Sequence, residues 1–97
     1  MKSRLQVTMP DGSVWTVPVG VIAHHRAKHY AEEFGGDVAR SLKEDTIPLF
    51  TENHYAVMDW ARNNMNWSDV ASSAWQRESP KPDFQEGWVN GEMKVLP

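Results

Sequence analysis

The sequence predicts an α+β domain: an N-terminal β-hairpin, two main helices plus a short one, and a C-terminal β-ribbon. Three observations lead there. Asp11-Gly12 sits between two β-prone runs, where the turn needs positive φ and Gly supplies it at little steric cost. Thr51 to Val70 reads as a helix-like stretch, with Val57, Met58, Ala61 and Met65 at helical spacing on one face. Asn90-Gly91, a strong hairpin cue, separates Trp88-Val89 from the run Glu92 to Leu96, so the ribbon is expected to turn there.

Leu5, Val7 and Met9 alternate with Gln6 and Thr8, the period of a strand with one face buried, so strands are expected near residues 3 to 9 and 13 to 17. Pro18 ends the second strand, and its fixed φ suits entry to a helix running from Val19 to Phe34. Ala23, Ala27, Tyr30, Ala31 and Phe34 form the inward stripe of that helix, and Gly35-Gly36 stops it where a C-terminal glycine is favoured. Asp37 is placed to cap a short helix that carries Val38, Ala39 and Leu42 and ends near Glu44. Thr46 to Phe50 reads as an extended connector, because Pro48 disfavours helical geometry at Ile47; Ile47, Leu49 and Phe50 are expected to plug the core from it.

Thr51 is positioned to cap the central helix, Trp60 flanks its apolar stripe, and His54 falls on the stripe side as a partly buried, hydrogen-bonded histidine. Asn63, Asn64 and Asn66 tolerate left-handed backbone and end the helix. Asn66-Trp67-Ser68 matches a glycosylation sequon but makes better sense as a helix stop followed by a Ser68 cap, opening one further turn to Ser73. Ala74 to Arg77 is a candidate strand, and Ser79-Pro80-Lys81-Pro82 is a linker-like break before the ribbon.

At 97 residues the chain is long enough to bury one core, roughly 65% of the surface that the unfolded chain exposes. With 40% hydrophobic and 24% charged residues, its usage is that of a globular domain. A net charge of −3 leaves no broad basic footprint, which argues against nucleic acid as a partner. The chain contains no cysteine, which excludes disulfides, thiolate catalysis and Cys-ligated zinc. Neither an apolar signal segment after Met1-Lys2-Ser3-Arg4 nor a run of about 18 apolar residues is present, so a soluble, unprocessed protein with no membrane partner is expected. The five tryptophans are several times the usual share of a short chain, enough to serve both a core and an interface.

His25 and His29 stand four residues apart, a spacing that puts two imidazoles on one helical face, with Glu32 or Glu33 one turn on. Zinc-protease helices carry Glu directly after the first His, whereas Arg26 stands here and its charge opposes a metal. The face is therefore read as solvated and charged, with no metal and no cofactor. His25, Arg26 and His29 remain candidates for contact with a partner.

Pro10-Asp11-Gly12, Val17-Pro18 with Val21-Ile22-Ala23, Asp59-Trp60-Ala61, the run Asn63 to Val70 and the run Gln85 to Gly91 occur in an order that resembles a family of small uncharacterised proteins of tailed bacteriophages and prophages. The likeness extends over nearly the whole chain, and the last two motifs are its most specific parts. It implies a phage gene product in the host bacterial cytoplasm or the virion, and it carries over no catalytic or binding residue.

Three functions follow, in descending order: a non-enzymatic accessory protein acting by protein–protein contact with a host or virion partner or with itself, a small-ligand or nucleotide binder, and a metal-dependent enzyme. The enzyme ranks last, since the sequence has no phosphate-cradling glycine loop, no nucleophile motif and no His/Glu pair at hydrolase spacing. Trp67 and Trp88, the latter beside Asn90, lie at segment ends, where the favoured reading is that both rings close the ends of the core. The alternative, ranked second, is that they are aromatic anchors for a partner.

Overall fold

The hairpin forms as its turn chemistry requires. β1 (Arg4–Thr8) pairs antiparallel with β2 (Val14–Pro18), setting Leu5 opposite Val17 and Val7 opposite Trp15. Gly12 takes φ +87° and donates its N–H to the Met9 carbonyl at 2.9 Å, which closes the turn. The structure, a computed structural model, describes residues 3–10, 12–76, 88–89 and 91–96. Arg77, the linker-like break and Asn90 lie outside the described residues.

α1 (Val19–His29) follows Pro18 directly and buries Val19, Ile22, Ala23 and Ala27. The expected helix to Phe34 changes geometry near its end: Ala31–Phe34 tightens into a 3-10 turn, and Gly35 closes it in the left-handed region at φ +68°. Asp37 caps α2 (Val38–Ser41) by accepting the Arg40 N–H at 3.0 Å.

The largest departure from expectation lies at Pro48. No extended connector forms; the backbone stays right-handed helical from α2 through a π-helical stretch, Leu42–Thr46, into α3 (Ile47–Glu52). Ile47 adopts φ −60°, ψ −47° although proline follows it. The π stretch is the physical reason, because a wider turn just before Pro48 relieves the clash between its ring and the preceding carbonyls. Phe50 reaches the core as expected, but from a helix rather than a loop.

α4 (His54–Asn64) begins at Asn53, whose side chain accepts the Tyr55 N–H at 3.0 Å, so Asn53 and not Thr51 is the cap. One consequence is that His54 sits at the exposed first position of the helix instead of on its buried stripe. Val57, Trp60, Ala61 and Met65 face inward. α5 (Trp67–Val70) is capped at Asn66 rather than Ser68, and Asp69 accepts the Asn66 N–H at 2.7 Å. A short 3-10 turn, Ala71–Ser73, leads to β3 (Trp75–Gln76), and the chain returns as β4 (Glu92–Leu96).

The sheet order is β3-β2-β1-β4, all antiparallel, and the fold is α+β. β4 joins the hairpin as a third long strand, with Leu5 opposite Val95 and Val7 opposite Met93. Its partner is β1 rather than Trp88-Val89, which are helical and so cannot be the other arm of a ribbon turning at Asn90-Gly91. Leu5, Val7 and Val17 point inward onto Val57, Ala61, Met65 and Val70, while the opposite face of the sheet keeps Arg4, Trp75, Glu92 and Lys94 exposed.

Candidate functional site

Of the residues singled out on α1, His25 and Arg26 come together against the protein, while His29 stays exposed beside them. Trp60 of α4 donates its indole N–H to Nδ1 of His25 at 3.0 Å. His29 and Tyr30 pack against the same indole, with ring centroids at 5.3 and 5.8 Å. Arg26 lies 4.7 Å over the Tyr30 ring and donates to Asp45 at 2.8 Å and to the buried Thr46 hydroxyl at 2.9 Å. Ser41, fully buried, donates to the Ala27 carbonyl at 3.0 Å in the same contact.

The face read as solvated is so at His29, Glu32 and Glu33, but His25 and Arg26 belong to the seam that docks α1 onto α4 and the π-helical stretch. Its polar groups are there because a helix contact containing an indole N–H and a threonine hydroxyl must satisfy both. His25 Nδ1 and the Arg26 guanidinium are already engaged, and His29 is the exposed rim of the cluster. No three His, Cys, Asp or Glu side chains among the described residues are grouped as a metal ion requires.

Trp67 and Trp88 are core residues, so the reading that they close the ends of the core holds and the alternative, that they are surface anchors, does not. Trp88 is wholly inaccessible and Trp67 is 8% exposed. Trp15, Trp67 and Trp88 form a chain of tilted rings with centroid spacings of 5.4 and 6.1 Å, joining the sheet to α5 and to the returning segment. The Trp88 indole N–H donates to the Ala61 carbonyl at 2.8 Å and to the Met65 carbonyl at 2.9 Å. A segment end next to glycine does not keep a ring at the surface when the end of a helix offers its N–H acceptors in a dry site.

The exposed tryptophan is Trp75, at 68%. β3 sets it opposite Thr16 on the outer face of the sheet, and the Arg4 guanidinium lies 5.7 Å above its ring. Thr16 is buried between them and receives a long hydrogen bond, 3.5 Å, from Arg4. Arg4 is in no ion pair among the described residues. On the same face a shallow hollow of about 210 Å³ is lined by Gln6, Thr8, Glu92 and Lys94, with Met93 at its edge. Period-two alternation carried the signal for this site: once Ala74 to Arg77 is taken as a strand, Trp75 must point to one face of the sheet. Only the register with Thr16 tells which of the two faces is open.

Comparison with family models, curated proteins and solved structures returned no match to the chain. Among the described residues, no helix is long and apolar enough to cross a membrane.

Proposed function

We propose that the chain is a small non-enzymatic accessory protein, of the phage type its motifs resemble, and that it works by holding another protein against the open face of its sheet. The observation that carries this reading is Trp75, two-thirds exposed, with the Arg4 cation over its ring. Tryptophan and arginine are the residues that most often dominate binding energy in protein interfaces. Here they are held on strands, so the backbone that carries them is already ordered when a partner docks. The chemistry selects a partner surface that offers an apolar side chain to the indole and a carboxylate to Arg4.

The test is selection of displayed peptides on the folded protein, read against Trp75→Ala and Arg4→Ala. Enrichment of peptides pairing an acidic with an apolar side chain, lost in both variants, supports the reading. Enrichment that survives Trp75→Ala overturns it. A nucleotide that raises the melting temperature of the native chain but not of Trp75→Ala would move the assignment to base stacking on the same ring.

A further inference from the structure

We infer that β4 is a self-complementary edge, and that the partner it fits is β4 of a second copy, paired antiparallel about a two-fold axis through Met93. The inference concerns the edge of the sheet and does not depend on the Trp75 face.

β1 is flanked on both sides, whereas β4 is the outermost strand at its end of the sheet among the described residues. The phase of its free edge follows from the hairpin. Met9 donates to the Ser13 carbonyl and Val19 to the Ser3 carbonyl, so the odd-numbered residues of β1 bond toward β2. Its even-numbered residues therefore bond toward β4, where Gln6 is opposite Lys94 and Thr8 opposite Glu92. In β4 the groups directed at β1 belong to residues 92, 94 and 96, and the N–H and C=O of Met93 and Val95 are left pointing away from the sheet.

A two-fold axis at Met93 suits this phase. It makes Met93 and Met93 of the second copy a pair exchanging both hydrogen bonds. Glu92 of each copy then stands opposite Lys94 of the other, in the non-hydrogen-bonded positions where Cα atoms approach to about 4.5 Å and side chains are nearest. Both side chains are exposed on the outer face, so two opposite-charge pairs form at once.

Other centres do worse. An axis at Lys94 also uses the free groups of Met93 and Val95, but it opposes two ammonium groups in the close non-hydrogen-bonded position, and an axis at Val95 overlaps less of the strand and pairs no charges. A lone lysine on an edge strand ordinarily discourages pairing, but here glutamate lies two residues away, in the position that neutralises it in a symmetric dimer. Arg62 donates to the Gly91 carbonyl and ties the start of the strand to α4, so the edge is presented in a fixed place.

Sedimentation velocity from about 10 μM to about 1 mM at low salt tests the pairing. The wild-type chain is expected to show a monomer–dimer equilibrium. Glu92→Lys alone and Lys94→Glu alone should each weaken it about tenfold, because two attractive pairs become repulsive. An equimolar mixture of these two variants should associate as the wild type does, since each supplies the charge the other lacks. Both sites are exposed, so circular dichroism should find both variants folded. A wild-type chain that stays monomeric to 1 mM overturns the inference. So does a dimer indifferent to both substitutions, or a mixture no better associated than its components.

Discussion

Trp88→Phe is the sharpest probe of how the returning segment is held. The substitution keeps an aromatic ring in a site with no solvent access but removes the indole N–H that serves the Ala61 and Met65 carbonyls at 2.8 and 2.9 Å. Leaving buried acceptors without their donor costs about 1–3 kcal/mol. The smaller ring also leaves roughly 40 Å³ of unfilled volume, worth about 1 kcal/mol at the usual cavity coefficient. The sum, about 2–4 kcal/mol, should appear in urea unfolding followed by circular dichroism as a lower midpoint with an unchanged slope. In a chain of this length it corresponds to a fall of about 10–20 °C in melting temperature. Amide exchange should quicken in the last turn of α4 at the same time, because that is where the donor acts. A loss below about 0.5 kcal/mol, with α4 protection intact, would refute the claim that this indole joins the C-terminal segment to the helix end.

Further outcomes follow from the same geometry. His25→Ala strands the Trp60 indole N–H and should cost about 1–3 kcal/mol in urea unfolding, whereas His29→Ala, which loses ring contacts at the exposed rim, should cost about 0.5–1.5 kcal/mol. Arg26→Met removes the donor to Asp45 and to the buried Thr46 hydroxyl, with an expected loss of about 1–3 kcal/mol by the same measurement. Gly35→Ala forces a side chain into φ +68° and should lower stability by about 1–2 kcal/mol although there is open space around the new methyl group. Trp75→Ala should change stability by no more than about 0.5 kcal/mol, as befits an exposed ring; a loss of several kcal/mol in calorimetry would mean the ring is part of the core and not a docking residue.

Local patterns that repeat were legible in the sequence. The Leu5/Val7/Met9 alternation, the Gly12 turn, the Ala23/Ala27 stripe, the Gly35 stop and the Asp37 cap are each decided by neighbours within a few residues, and the structure has them all. The misjudged places are those where a distant partner outweighs local preference. Pro48 reads as a break until the π-helical stretch in front of it is known. Asn90-Gly91 reads as a hairpin because the long-range competitor, β1, is invisible to a short window. The tryptophans were undecided in the sequence for the same reason: burial of Trp67 and Trp88 depends on α4 and on Trp15, and exposure of Trp75 depends on which face of β2 the helices leave open. His25 and Arg26 were correctly paired on one face of α1, but nothing within that helix says that Trp60, 35 residues from His25, covers it.

The register that sets Arg4 opposite Leu96 has a consequence for the chain while it is being made. β1, β2 and α1 leave the ribosome early, yet the second edge of β1 has no strand to pair with until residues 92 to 96 have been synthesised. At elongation rates of about 5–20 residues per second, the interval between Val19 and Leu96 is roughly 4–15 s. For that time every nascent copy carries a hairpin with one bare edge. Neighbouring ribosomes on one message hold several such hairpins close together. The abundance of folded protein in a cell is then set partly by how well that interval is protected, so slower translation of the stretch between α5 and β4 should raise the aggregated fraction without changing the stability of the finished fold.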